Sequence, residues 1–518
     1  MVSSVSEADA VRLPVVVSGA GPAGLMTSLL LGRYGIRNVV LERRPTTSVL
    51  PRATGVNLRS MEIFRTVGLA GQIAAAAMDV SGKPLWVELE TLRGPARAER
   101  RIDAPSGAPR AGFPSPAAHL QCAQDRLEPI LLAAIKRLEA CEVRFGAEVI
   151  AVDQSECGVT VDVVEADSGR CYTIAGRYLV GADGSNSTVR NAVAIPMEGE
   201  VGLGTELSVL FAADLSALVA GHEASLYRVH NPHMRGTFRP VDNRTRWTLT
   251  TPSTGAPSPD RCAEMIRAGA DDPTLEPQIL AIQEWALGTA AAATFRSGSV
   301  FLVGDAAHRM TPGGAMGMNT AVQDAHNLAW KLAAVFDGWG GPALLDSYDQ
   351  ERRPVGQHNA ALSLAIWNDM NRAGRTVGAV LGFNYETGAI IADGTSLPNV
   401  ADPVVDFVPC ARPGSRAPHH WIDLDGHRRS TIDLFDGTFV LLSPGQPWCA
   451  AALDARAAVG VPVTAHQITD PAWAELYGID AGGAVLVRPD GHVAWRTNND
   501  NQTEPRHLEH VFRKVLGL

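Results

Sequence analysis

Three glycines, Gly19, Gly21 and Gly24, stand between an apolar run and a helix-forming run, and no other feature restricts this chain as much. Residues 13–18 read as a short strand that ends at Gly19. Residues 24–34 continue with helix formers on a periodic apolar face, Gly35 stops them, and residues 38–41 read as a second strand. Strand, helix, strand in that order makes a parallel pair joined by a right-handed crossover. The glycines permit the tight turn and let backbone N–H groups at the helix N-terminus approach a pyrophosphate. Glu42 closes the second strand 23 positions after Gly19, where a carboxylate can accept hydrogen bonds from an adenosine ribose. Three glycines alone are equally an empty turn. Flanking strand, helix and acid together select a dinucleotide, and an acid at the ribose position favours FAD or NAD over NADP.

A second element of the same kind lies nearly 300 residues later. Residues 299–303 read as a buried strand running into Gly304-Asp305-Ala306-Ala307-His308. Pro312-Gly313-Gly314-Ala315-Met316-Gly317-Met318-Asn319 follows, and then a long helix over residues 321–336. An aspartate at a strand end can hold a ribitol or ribose hydroxyl. The glycine-rich turn offers helix N-terminal N–H groups to a flavin carbonyl, whose negative charge grows on reduction. Between the two elements, the strand over residues 172–179 runs into Gly181-Ala182-Asp183-Gly184, followed by Ser185, Ser187 and Arg190. A carboxylate and an arginine in one loop suit pyrophosphate and nicotinamide traffic; an Asp-Gly turn is also common on its own.

The rest of the chain reads as α/β. Residues 125–140 form a helix, and 143–150 and 160–164 form strands. Alternation over 207–213, 225–230 and 246–251 indicates a β-rich insertion with one helix near 261–268. Residues 343–366 are helical and carry Glu351-Arg352-Arg353. Beyond about residue 400, strands over 438–442, 461–467 and 484–488 precede a hairpin at Pro489-Asp490-Gly491, a strand over 492–496 and a final helix over 507–515. A net charge of −10 speaks against nucleic acid or an anionic membrane as partner. The seven cysteines are scattered with no Cys-x-x-Cys pair, so no zinc or other metal site and no dithiol centre is expected. Residues 1–12 show no leader pattern, and no run reaches the roughly 18 apolar residues of a membrane helix. A cytoplasmic protein, monomeric or homodimeric, is the resulting expectation.

Taken together, Gly19–Gly24 with Glu42, Gly181–Gly184 and Gly304–His308 continuing to Asn319 resemble the class A flavoprotein aromatic hydroxylases of the para-hydroxybenzoate hydroxylase type. Arg52-Ala53-Thr54-Gly55 with Met61-Glu62-Ile63-Phe64 resembles the family segment whose arginine lies along FAD. Gln124, in Gln-Asp-Arg-Leu-Glu, resembles the glutamine that contacts FAD. Residues 487–496 resemble the terminal hairpin of the thioredoxin-like appendage found in the phenol and aromatic-polyketide hydroxylases, which is structural there. The resemblance implies an α/β protein with a Rossmann-like FAD-binding domain (residues 1–80, 117–195 and 294–400), an inserted β-sheet substrate domain (81–116 and 196–293) and a C-terminal thioredoxin-like domain (401–518). FAD is the implied cofactor, with NADPH or NADH as transient co-substrate, since no second dinucleotide turn is present.

By resemblance, the cofactor residues are Gly19, Gly21, Gly24, Glu42, Arg43, Arg52, Gln124, Asp183, Asp305, Gly314, Gly317, Met318 and Asn319. Arg52, Pro312 and Asn319 are placed beside the reacting ring, and His308 is a loop-positioning residue. The implied reaction runs through a flavin C4a-hydroperoxide formed from O2 and hydroxylates a polycyclic aromatic polyketide of angucycline or anthracycline type. Arg228, His230 and Trp247 in the β-rich insertion, with His233 and Arg235, could face such a substrate; each also reads as a solvated or packing residue. A halogenase would require a Trp-x-Trp-x-Ile-Pro segment, which is absent. Baeyer–Villiger oxygenation, antibiotic inactivation and a flavin-binding module without turnover remain as alternative readings.

Overall fold

A computed structural model describes residues 11–101, 112–242, 244–253, 255, 257–498 and 505–518. Residues 1–10, which carry most of the leader reading, and residues 102–111 of the inserted segment lie outside the described residues.

The first unit is built on parallel strands. Strand β1 (Val11–Ser18) leads through helix α1 (Pro22–Arg33) to β2 (Asn38–Glu42), β3 (Cys141–Phe145), β4 (Cys171–Gly181) and β5 (Val300–Leu302) continue the sheet, and Ala147–Ser155, Gly158–Glu165 and Arg296–Ser297 add antiparallel strands to make eight. Their spatial order is β5-β4-β1-β2-β3, every neighbouring pair parallel. Val15, Val16 and Val17 are fully buried, as expected of a strand covered on both faces. Pro22 opens α1, where its missing N–H costs nothing, and Gly35 ends it at φ 76°. Helix α2 (Met316–Phe336) packs along α1, and α3 (Asp346–Asn368) packs along α2. The single strand expected over residues 143–150 is two strands, because Gly146 at φ 70° turns the chain between Cys141–Phe145 and Ala147–Ser155.

The second sheet has eight strands, in the order His308–Arg309, Gln278–Ala292, Met197–Ala212, Arg246–Pro252, Met234–Pro240, Tyr227–Asn231, Trp86–Leu89 and Ala98–Arg100. Helix Pro259–Ala270 covers one face with Cys262 and Ile266 against Val87, Leu207, Val209, Tyr227, Phe238 and Leu249. The other face looks toward the first unit. There Arg246 donates to Asp125 Oδ2 at 2.8 Å, and Leu210, Val241 and Ala281 meet Leu50 and Ala123.

The third unit is thioredoxin-like, with strand order Val463–Gln467, Phe439–Ser443, Ala484–Val487 and Val493–Thr497. Its first two strands are parallel and cross over through helix Gln446–Val459, whose Ala-rich sequence shows too weak an apolar stripe to announce it. Phe439, Trp448 and Phe512 pack into one cluster with Trp330 of α2, so this unit shares a core with the first.

Two histidines record how dry these contacts are. Burial holds His419 and His492 at about 4, below the usual 6.5. An unfolded chain therefore binds protons between pH 6.5 and 4 that the native one does not, and stability falls with pH across that window. Thermal melts are expected to show a lower Tm at pH 5 than at pH 7; a flat profile would contradict the burial.

Candidate active site

The glycine turn is shaped by contacts that exclude side chains. Gly19 adopts φ 103°, and a Cβ there would lie 2.4 Å from the Ala182 carbonyl oxygen. A Cβ on Gly24 would lie 1.9 Å from the Gly19 carbonyl oxygen. At Gly21 nothing lies within 4 Å, so the turn opens into free space at the N-terminus of α1. Glu42 holds the rim: its Oε2 accepts from the Ala20 N–H at 2.8 Å and its Oε1 from the Arg44 N–H at 3.0 Å. Arg43 next to it is exposed and sits 3.9 Å from Glu148.

The second loop adjoins the first in space. Gly304 adopts φ 60°, and a Cβ there would sit tightly between Ala23 of α1 and Ala321 of α2, 3.0 and 3.1 Å from their Cβ atoms. Asp305 is therefore delivered to the open end of the glycine turn. Its carboxylate faces a cleft that water reaches, and it makes no hydrogen bond or ion pair with another described residue. Crowding by the surrounding protein pushes its pKa up, opposed by His308, Arg52 and Arg309. A Cβ on Gly317, in the first turn of α2, would lie 4.0 Å from Asp305 Oδ1. Upstream of it, a Cβ on Gly313 would meet the Ser363 carbonyl oxygen at 2.2 Å, Gly314 adopts φ 72° and Pro312 stays exposed. His308 is buried beneath, its Nε2 2.6 Å from Asp324 Oδ2, which fits a loop-positioning role. Met318 is half-buried against the main core.

The Asp183 loop is held together by its own groups. Its Oδ1 accepts from Ser187 Oγ at 2.5 Å and its Oδ2 from the Val189 N–H at 3.0 Å, so the carboxylate is used within its own loop. Arg190 donates to the Ala306 and Ser185 carbonyls, both at 3.1 Å, and ties this loop to the one carrying Asp305. The Asn319 side chain is likewise engaged within the protein. Its Oδ1 accepts from the Asn57 N–H, while its amide donates to the Gly55 and Ala315 carbonyls. A buried amide with all these bonds made is a positioning residue, clamping the Arg52–Asn57 segment to the start of α2.

Arg52 lies in the open part of the cleft, in the field of Arg44, Asp305 and Glu128, and donates to Gln283 Oε1 at 3.1 Å. Gln124 begins its helix with its N–H on the Ala53 carbonyl and its side chain donating to Glu128 at 2.6 Å. Glu128 was not expected. It is buried, accepts from the Ser48 N–H at 2.6 Å, and holds the chain leading to Arg52. Its place four residues after Gln124, one helical turn on, is the signal in the sequence that matches this pairing.

Across the cleft, register assigns the sheet residues to faces. Glu88, Arg228, Thr237, Thr250, Ser208 and Gln283 are successive partners in one lateral row. Paired residues share a face, so this polar row runs from the Arg228–Glu88 ion pair (3.0 Å) to Gln283 under Arg52. His230 and Arg235 pair with each other at the exposed end of that face, and His233 lies in the exposed turn. Trp247 corrects the expectation made for it. It is 2% exposed and packs against Tyr227 in the core under helix Pro259–Ala270, on the opposite face, so it cannot line the cleft.

These residues fit FAD. The Gly19–Gly24 turn leaves a phosphate-sized opening, Glu42 keeps acceptor capacity beside it, and Asp305 presents an unpaired carboxylate at the far side. Comparison with known proteins agrees. The FAD binding domain family matches residues 12–363, and the aromatic-ring hydroxylase C-terminal family matches residues 411–518. The chain is 38% identical to an aklavinone 12-hydroxylase of Streptomyces purpurascens, over 98% of this chain and 99% of that one. It is 37% identical to a putative polyketide hydroxylase of Streptomyces halstedii, over 98% of both. It superimposes with a TM-score of 0.89 on the crystal structure of aklavinone-11 hydroxylase in ternary complex with FAD and aklavinone, at 37% identity, covering 98% of this chain and 99% of that one.

Proposed function

This chain belongs to the FAD-dependent aromatic-ring hydroxylases, and on that basis we propose that it hydroxylates a polycyclic aromatic polyketide of the angucycline or anthracycline type. The observation that carries the reading is the contact of Gly24 with Ala182 and of its neighbour Ala23 with Gly304, which brings the glycine turn and Asp305 to a single cofactor. NADH or NADPH serves as transient electron donor. FAD, when bound, supplies the reduction of O2 and the transfer of one oxygen atom to the ring.

The protein's own residues bind, orient and exclude water. The N–H groups at the start of α1 receive the pyrophosphate, and Glu42 receives the adenosine ribose. Asp305 accepts from a ribitol hydroxyl. The N–H groups of the first turn of α2, Met316–Asn319, would stabilise negative charge on a bound flavin. Arg52, held by Gln283, would steady the bound cofactor. The face carrying Ser208, Thr237, Thr250 and Gln283 forms the floor against which a flat substrate lies. The protein acts in the cytoplasm as a monomer or homodimer.

Incubation with NADPH, 18O2 and a panel of polycyclic phenols tests the proposal. One phenol is expected to accelerate NADPH oxidation and to gain one 18O as a hydroxyl. A lactone product would move the assignment to Baeyer–Villiger oxygenation, and flavin binding without substrate-stimulated oxidation would remove catalysis. Asp305→Ala is expected to weaken FAD about 10-fold or more, the loss of a charge-assisted hydrogen bond, read by flavin fluorescence titration. Unchanged affinity would take Asp305 out of the site.

A further inference from the structure

Arg239 lies on strand Met234–Pro240, paired with Thr248 across the sheet. Its lateral row continues through Leu210 to Ala281. This is the row next to the polar one that ends at Gln283, on the same face, and Leu210 touches Leu50 and Ala123 of the cofactor unit. Three neighbouring arginines are engaged, Arg228 with Glu88, Arg246 with Asp125 and Arg52 with Gln283, and Arg235 on the same strand is exposed to solvent. Arg239 is half-buried and has no hydrogen bond, ion pair or ring contact with another described residue. Thr248, Leu210 and Ala281 beside it bring no charge, and burial alone depresses its pKa. A guanidinium partly shielded from water and left without a protein partner is free to donate to an anionic ligand oxygen, the charge-assisted contact arginine makes best.

We propose that Arg239 is a specificity-determining residue that receives an ionised ring oxygen of the aromatic substrate, a phenolate or the enolate of a vinylogous acid. This deepens the function proposed above and rests on it. The planar fork of a guanidinium donates two parallel N–H bonds, which suits the neighbouring oxygens of a hydroxyquinone. A fixed cation favours the ionised phenol, and ionisation makes the ring more electron-rich toward an electrophilic oxygen. Position in the sheet sets the geometry: Arg239 sits one row from Ser208 and Gln283, so an oxygen bound there leaves the rest of a flat ring system lying over the polar row toward Arg52.

The test uses the FAD-loaded enzyme and the polycyclic hydroxyquinone that wild type turns over in the panel. Arg239→Gln is expected to raise KM for that substrate about 10-fold or more, leaving KM for NADPH and FAD content unchanged. Wild type is expected to bind the phenol ionised below its free pKa, seen as a red-shifted absorption band. Arg239→Gln loses that shift and Arg239→Lys keeps part of it. Equal KM and an equal shift in Arg239→Gln would overturn the proposal, as would a loss confined to KM for NADPH, which would assign the cation to a nucleotide phosphate. Wild type that turns over no polycyclic phenol would instead count against the proposed function, so the two failures are separable. FAD content and Tm of both variants report folding.

Discussion

Gly24→Ala is expected to yield a protein that no longer holds FAD. The added methyl would stand 1.9 Å from the Gly19 carbonyl oxygen and 3.2 Å from Ala182 Cβ, with backbone on one side and a packed loop on the other. The turn cannot move aside easily. Gly19 N–H is bonded to the Leu41 carbonyl at 2.7 Å, Ala182 N–H to the Ser18 carbonyl at 2.8 Å, and Glu42 holds the Ala20 N–H. Opening the turn withdraws the α1 N-terminus from the pyrophosphate, and a loss of FAD affinity of at least about 100-fold, near 3 kcal/mol, is expected. Gly21→Ala gives the informative contrast. Nothing lies within 4 Å of its Cβ position, so the fold is undisturbed and the methyl occupies the cofactor's own space. Flavin content after purification and fluorescence titration measure both. Gly24→Ala protein that is yellow with wild-type affinity would disprove this account of the turn.

Arg488→Met is expected to give the largest loss of stability. Arg488 donates to both oxygens of Glu351, at 2.7 and 2.8 Å, and to Asp490, all fully buried. Lys331 and Asn327 complete the cluster around Glu351 at 2.7 and 2.6 Å. Removing one partner of a buried ion pair leaves a charge uncompensated and costs about 3–5 kcal/mol. The damage reaches the site, because Arg352, next to Glu351 on α3, holds Asp324, which in turn holds His308 and the Gly304 N–H. A lower Tm accompanied by weaker FAD binding is expected. Adding Asp490→Asn to Arg488→Met should recover part of the loss, since one stranded charge disappears with it.

The cluster also has a pH signature. Burial pushes Glu351 up, but Arg488 and Lys331 overcome it and hold the carboxylate at about 2, below the usual 4.5. A depressed folded pKa contributes stability that is present above 4.5 and fades as pH falls toward 2. Arg488→Met should lose that contribution at neutral pH and show a shallower decline across the acid range. Denaturant melts at pH 7 and pH 3.5 compare the two proteins; parallel curves would place the stabilisation elsewhere.

Much of the cofactor site is legible along the chain. Gly19, Gly24, Glu42 and Asp305 announce themselves because each serves a local geometry: a turn, a strand end, a helix start. Their meaning lies within a few residues of chain. Asp183 and Asn319 stand out by the same reasoning, and their side chains are bonded within the protein, one closing its own loop and the other clamping a neighbouring segment. A side chain's partner is a property of space, and neither assignment can be separated from ligand contact along the chain. Glu351 and Arg488 lie 137 residues apart, and no periodicity relates them.

Local sterics and apolar periodicity act within about 30 residues, and over that range the amino-acid order dictates the parallel α/β unit, its glycine turn and the need for a bound dinucleotide. The same order dictates that strands 227–231 and 246–252 alternate between two faces. Which of those faces meets the cofactor is a matter of long-range packing. Trp247 lies under a helix, and Arg239 is left toward the cleft. Alternation with period two assigns residues to two sides but carries no information about what packs on either, and that is set by contacts between segments far apart in the chain.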